Sequence, residues 1–187
     1  MWEHLRQLLR NQCNLTYLCS QVRFDNLEQR CLFVYTSYPE IASQMVNWIN
    51  RDRQNPVAAV TRVGTTLNEG LPENYINPSP KHSLRWNDKL AEAASGWADW
   101  NFDHRTMQHG TEGSDPYSRA VAVGYQPIHI VENGGLITIS YISSDTYVYQ
   151  KANLIHDLFV AHAGHRAQLF DEDTREVGIA VKTGMWG

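Results

Sequence analysis

The chain has 187 residues, enough for one domain with a full hydrophobic core, and its 42% hydrophobic and 19% charged residues exclude bulk disorder. A formal net charge of -4, without a basic stripe, excludes a free-standing nucleic-acid-binding protein. The sequence has no apolar run long enough to cross a bilayer, and its first residues do not form a signal peptide.

The first 38 residues differ in pattern from the rest of the chain. We expect residues 1–38 to form an N-terminal extension and residues 39–187 to form one domain. Apolar residues at helical spacing predict a short helix at the start, and the run CLFVYTSY (31–38) predicts a strand. Three cysteines lie in the extension: Cys13, Cys19 and Cys31. The fold of the remaining chain therefore cannot depend on disulfides.

Helices are predicted in four later segments from apolar periodicity and end signals. The first begins at Pro39 and stops or kinks at Pro56. The others cover Asp88 to Phe102 with Asn87 as N-cap, Pro116 to Gly124, and residues 145–163. Residues 64–83 are rich in glycine, proline and asparagine, which predicts a long loop.

Strands are predicted in three segments that contain β-branched residues: HIVEN (129–133), GLITISYI (135–142) and REVGIAVKTG (175–184). These are too few for a doubly wound sheet. Because helices and strands are interleaved, the pattern favours a small sheet covered by helices.

Several motifs occur in a familiar order: HSLRWNDKLAEAASGWADW, MQHGTEGSDPYSRAVAVGY, VEN, GHRAQLF and REVGIAV. Together they resemble the CAP superfamily (cysteine-rich secretory proteins, antigen 5 and pathogenesis-related 1 proteins), most closely its cysteine-poor bacterial SCP-domain branch. The resemblance covers about residues 40–187. It implies an α+β fold, a three-layer α-β-α sandwich with a small central sheet, in a secreted or cell-surface protein.

The resemblance also implies a cleft in which His109, Glu132 and His165 converge. Many members add a second glutamate, for which this sequence has no clear match; His162 or His156 would take that place. Imidazoles and a carboxylate suit zinc or another divalent metal, which is the expected cofactor. The competing interpretation is a buried hydrogen-bonded network that ties helices to the sheet.

Three polar residues near these motifs are predicted to be structural. Asn133 is expected to bond loop backbone. Arg166 is expected to pair with a carboxylate such as Asp171 or Glu172, and Arg119 to contact the loop that follows His109.

The leading functional prediction is an extracellular binding or interaction module. Its ligand would be a small hydrophobic molecule, a glycan or a protein, and neither a nucleic-acid partner nor a transmembrane segment is expected. One alternative is a metal-assisted hydrolase in the same cleft, with Glu132 as the candidate catalytic residue and Ser114 or Ser118 as candidate nucleophiles, although no nucleophile-elbow motif is present. Another is a structural component of a surface assembly that docks or self-associates through residues 1–38.

Overall fold

The computed structural model describes residues 36–138 and 144–184. The predicted N-terminal helix and the three cysteines lie outside these ranges. The described residues form six helices and four short strands. In chain order these are β1 (Thr36–Ser37), α1 (Pro39–Gln54), α2 (Pro56–Val63), β2 (Arg85–Trp86), α3 (Asp88–Asp103), α4 (Pro116–Ala122), α5 (Asp145–Ala161), α6 (Ala163–Leu169), β3 (Glu176–Val177) and β4 (Lys182–Thr183).

The helix predicted from Pro39 is confirmed as α1, but Pro56 begins a second helix that the prediction missed. The Asn55 side chain accepts a hydrogen bond from the backbone N–H of Ala58, and Pro56 occupies the first turn, where it lacks only a donor that would be unpaired anyway. Gly64 ends α2 at a φ of 77°, a left-handed conformation that suits glycine. These three end signals were present in the sequence.

Helices α3 and α4 begin as predicted. Asn87 accepts hydrogen bonds from the backbone N–H groups of Lys89 and Leu90 at the start of α3. At the start of α4, Asp115 and Ser118 form a reciprocal capping box around Pro116. The capping box fixes where the chain turns after the His109 loop.

Two short strand pairs replace the longer strands that were predicted. β1 pairs with β4 in the antiparallel direction, and β2 pairs with β3 in parallel. The predicted strand at 129–133 is wrong, because these residues make no ladder; part of the segment 135–142 lies outside the described residues. The segment 175–184 is split into β3 and β4 instead of forming one strand. A segment with high strand propensity forms a strand only where a neighbouring segment pairs with it.

Helices flank residues 176–184 on both sides, which confirms the α+β class. A Cβ atom at Gly178 would overlap the backbone of Leu90 and Ala91 in α3, so the two backbones are in close contact. On the other side, Ile179 and Val181 pack against a buried cluster from α1 and α5. That cluster includes Tyr38, so residues 36–38, assigned to the extension by the sequence analysis, lie in the sheet and core of the domain.

The long loop at 64–83 contains no helix or strand, as predicted. Its shape depends on side-chain bonds to backbone. Asn68 accepts from the N–H of Ile76 at 2.7 Å and donates to the Ile76 carbonyl at 3.0 Å. The fully buried Arg166 donates to the carbonyls of Leu67 and Glu69. The loop is thereby tied to α6.

Candidate functional site

His109 and Glu132 form the first pair of the site. The Nδ1 atom of His109 lies 3.0 Å from Oε1 of Glu132, and Nη2 of Arg119 lies 2.6 Å from the other carboxylate oxygen, Oε2. An ionised carboxylate only accepts hydrogen bonds, so Nδ1 of His109 carries the proton and donates it. The Nε2 atom of His109 is then the acceptor nitrogen, and the side chain is 51% exposed.

His165 and Asn133 form the second pair. The Nδ1 atom of His165 lies 2.7 Å from Oδ1 of Asn133, and Nδ2 of Asn133 donates to the His165 carbonyl at 3.2 Å. The amide orientation assigns Oδ1 as acceptor, so Nδ1 of His165 is also the protonated nitrogen. Asn133 therefore binds both the ring and the backbone carbonyl of His165 in α6, whereas it was predicted to bond loop backbone. Asn133 is part of the site.

The two pairs meet because Glu132 and Asn133 are neighbours in the chain. The backbone comes close to His109 at the next residue: a Cβ at Gly134 would lie 3.6 Å from Cε1 of His109. The pKa of His165 lies below its ordinary value, because burial disfavours its charged form first and electrostatic interaction with His162 and His109 disfavours it second. A lowered pKa favours the neutral ring.

His162 lies at the junction of α5 and α6, where it is both the C-cap residue of α5 and the N-cap residue of α6. Its backbone is extended (φ -86°, ψ 128°), so the helix does not continue from His162 to His165. The two rings are nevertheless close, with centroids 5.0 Å apart. The structure therefore places His162 beside His165 of the second pair.

His156 lies elsewhere. Its ring is fully buried, with Nε2 2.8 Å from Oδ2 of Asp52, and Asp52 also binds Arg62. The interpretation of His156 as a fourth cleft residue is therefore not supported by its position. His156 links two helices, α5 and α1, through a buried hydrogen bond, whereas the competing interpretation was a network between helices and sheet.

A family-level comparison bears on this arrangement. Residues 46–185 match the family described as CAP, the Cysteine-rich secretory protein family. The chain belongs to the CAP family. No curated protein and no solved structure matches the chain significantly. Family membership confirms the predicted resemblance at the level of the superfamily.

Two arginines of the CAP domain have contacts that sequence reasoning did not find. Arg119 contacts the loop after His109, as predicted, through the carbonyls of His109 and Ser114 at 3.3–3.4 Å, but its bond to Glu132 makes it part of the site. The predicted pairing of Arg166 with a carboxylate is wrong: among the residues that the structure describes, its guanidinium donates only to backbone carbonyls.

A serine nucleophile is not supported at Ser118. Its hydroxyl donates to the Asp115 carbonyl at 3.0 Å and accepts from the Asp115 N–H at 2.9 Å. These bonds belong to the capping box of α4 and direct the hydroxyl toward its own helix end. A candidate nucleophile should instead lie within hydrogen-bond distance of a base.

One geometric observation bears against a metal site with three or more of the predicted ligands. Among residues 36–138 and 144–184, no group of three or more His, Cys, Asp or Glu side chains is arranged to hold a metal ion. Both carboxylate oxygens of Glu132 are bonded to protein donors, one to His109 and one to Arg119.

The CAP domain also contains a partly open cavity of about 720 Å³ next to the site. Its apolar wall comes from α1, α3 and α5, and includes Ala94, Ala98 and Phe159. Arg119, Glu132 and Asn133 line it as well, so the polar pairs and the apolar cavity are contiguous. In the part of the chain that the structure describes, we find no helix with the length and hydropathy needed to span a membrane.

Proposed function

We propose that this CAP protein is an extracellular or cell-surface binding module whose cleft takes up a divalent metal ion, with zinc as the first candidate. The observation that carries the proposal is the state of two imidazoles. His109 and His165 each have Nδ1 bonded to a side-chain oxygen, which leaves Nε2 as the nitrogen with a free lone pair.

This arrangement fits a metal ligand. Histidine ligands in proteins usually donate their second ring nitrogen to a carboxylate or carbonyl oxygen, which fixes the tautomer and the ring orientation. Glu132 and Asn133 would supply those oxygens. The lowered pKa of His165, caused by burial and then by His162 and His109, favours the neutral form that a metal requires.

The proposal changes the expected role of Glu132. In the predicted set it was a ligand, whereas its bonds to His109 and Arg119 make it the residue that orients His109. The His162 ring lies beside that of His165, but among the described residues it does not complete a metal-binding group of three. Two imidazoles leave coordination positions open for water or a ligand, and a bound zinc ion there would supply a Lewis acid.

Zinc calorimetry near neutral pH tests the proposal. We expect one binding site in the parent protein, with binding lost in His109→Ala and in His165→Ala. His82→Ala is the matched control, because His82 is exposed and is not a cleft residue. Absence of binding in the parent, or equal binding in all three variants, would show that the cleft is a hydrogen-bonded network without a metal.

The cavity supports a second proposal, that the module binds a small hydrophobic ligand. A volume of about 720 Å³ lies within the usual range of ligand pockets, which combine apolar walls with a few polar groups at one end. Here Arg119, Glu132 and Asn133 provide the polar end.

Binding of the apolar fluorophore anilinonaphthalene sulfonate tests this second proposal. Ala94→Phe places a ring in the cavity and should abolish saturable binding. Ala122→Phe is the control, because Ala122 is an exposed helical position on α4. Equal binding by the two folded variants would refute the cavity as a ligand site.

A further inference from the structure

A stack of four side chains lies against the first pair of the site. We call Arg119, Trp97, Trp100 and His104 the aromatic stack. The guanidinium carbon of Arg119 lies 3.9 Å from the centroid of the Trp97 ring. Trp97 and Trp100 stack with centroids 4.7 Å apart, and Trp100 and His104 with centroids 3.9 Å apart. Trp97, Trp100 and His104 lie at spacings of three and four residues, which places them on one face of α3 and its C-terminal cap.

Trp97 makes a second contact, with the backbone just before His109. Its indole Nε1–H donates to the carbonyl of Gln108 at 2.9 Å. Asn101 binds the same residue, since its Oδ1 accepts from the Gln108 N–H at 3.0 Å and its Nδ2 donates to the Gln108 carbonyl at 3.3 Å. Trp97 and Asn101 are both buried, so α3 fixes the position from which the His109 side chain begins.

One indole therefore contacts a neighbour of each member of the His109–Glu132 pair: Gln108, which precedes His109, and Arg119, which binds Glu132. Its edge holds the residue before His109, and its face supports the guanidinium that binds Glu132 at 2.6 Å. A long, flexible arginine loses rotamer freedom when it is ordered, so a flat aromatic face beneath it favours one orientation.

We propose that Trp97 is a positioning residue for the cleft: it aligns His109 through its N–H and Glu132 through Arg119. The proposal rests on the proposed metal site for its functional consequence. It does not depend on that site for its geometry, which concerns the orientation and tautomer of His109.

Three variants separate the contacts. Trp97→Phe keeps an aromatic face beneath Arg119 and removes the N–H donor, whereas Trp97→Leu removes both. Trp100→Leu is the matched control, because it removes a stacked tryptophan from the same helix face, on the far side of Trp97 from Arg119. Each variant is measured by zinc calorimetry and by urea unfolding, so affinity and stability are compared in the same protein.

We expect zinc affinity to fall by about 10- to 100-fold in Trp97→Leu, the range typical for residues that orient metal ligands, and by less in Trp97→Phe. Trp100→Leu should lose stability and keep the parent affinity. If the three variants lose affinity in proportion to stability, Trp97 is only a core residue and the proposal is wrong.

A metal-free measurement distinguishes this proposal from the metal site itself. Nitrogen-15 NMR at mildly alkaline pH reports which ring nitrogen of His109 carries the proton. The Nδ1–H form should dominate in the parent and in Trp100→Leu, and Trp97→Leu should show a mixture. A parent protein that does not bind zinc refutes the metal site alone, and the tautomer result then decides the role of Trp97. An unchanged tautomer in Trp97→Leu would overturn it.

Discussion

Replacing Arg166 with methionine should destabilise the domain strongly, because this guanidinium in α6 binds both the long loop at 64–83 and the C-terminal end of α5. Arg166 is fully buried. It donates to Leu67 at 3.0 Å and to Glu69 in the long loop, and to the last carbonyls of α5, Val160 at 3.1 Å and Ala161 at 2.8 Å.

The magnitude follows from the acceptors. Methionine fills much of the volume and removes the cost of burying a charge, which in some proteins makes such a change neutral. Here the partners are backbone carbonyls that cannot be exchanged for apolar groups. Each buried carbonyl left without a donor costs about 1–3 kcal/mol, and part of that is recovered by relaxation and water entry. We therefore expect Arg166→Met to lower the free energy of unfolding by about 3–5 kcal/mol, less than the full cost of four unpaired carbonyls because of that recovery.

Urea unfolding followed by circular dichroism measures this loss. With an m-value of about 2 kcal/mol per molar urea, the midpoint should fall by roughly 1.5–2.5 M. Arg175→Met is the control, because Arg175 is exposed and also donates to backbone carbonyls, and its effect should stay within about 0.5 kcal/mol. A loss in Arg166→Met of less than about 1 kcal/mol would show that water or rearrangement satisfies the carbonyls and that our accounting is wrong.

Three further predictions concern other parts of the domain. Burial raises the pKa of Asp52, but hydrogen bonds from His156, Arg62 and Arg51 outweigh burial and hold the pKa well below its ordinary value of 3.8. Its contribution to stability is therefore complete above about pH 5 and is lost as the pH falls below about 4. Between pH 5 and pH 2, the free energy of unfolding should fall less steeply in Asp52→Asn than in the parent protein. An identical pH dependence in the two proteins would contradict this. Gly178→Ala should lower the free energy of unfolding by about 1–3 kcal/mol, because the new Cβ would overlap the α3 backbone. Gly96→Ala should raise it by about 0.5–1 kcal/mol, because Gly96 lies within α3 with open space at its Cβ position. Thermal melts that rank the two variants in the opposite order would refute the packing argument. Glu132→Gln should weaken zinc binding by about 10- to 100-fold with the fold unchanged, which calorimetry and circular dichroism check together, and full affinity would remove the orienting role.

The candidate site illustrates how far local sequence reasoning extends. The resemblance to the CAP superfamily implied His109, Glu132 and His165, and the structure places these residues, with Asn133, in two adjacent pairs. Asn133 was visible next to Glu132 but was assigned to loop backbone, because its partner lies 32 residues away. His156 was a reasonable candidate by residue type alone, and only its burial against Asp52 removes it from the cleft.

The local elements were determined by the sequence itself, because their signals act over a few residues. Caps at Asn87 and Asp115 and the prolines at Pro39 and Pro116 place helix starts through bonds and dihedral limits within one turn.

Only the tertiary structure decided which polar groups meet. The apolar segments at 129–133 and 175–184 carry strand propensity, yet the ladder hydrogen bonds that form a strand depend on partners distant in the chain. The contacts of Arg166 and Trp97 also depend on residues distant in the chain. Arg166 binds Leu67, 99 residues earlier, and the Trp97 indole contacts Arg119 in another helix. Hydrogen bonds and stacking act at a few ångströms, so their partners become evident only after the chain has been folded into three dimensions.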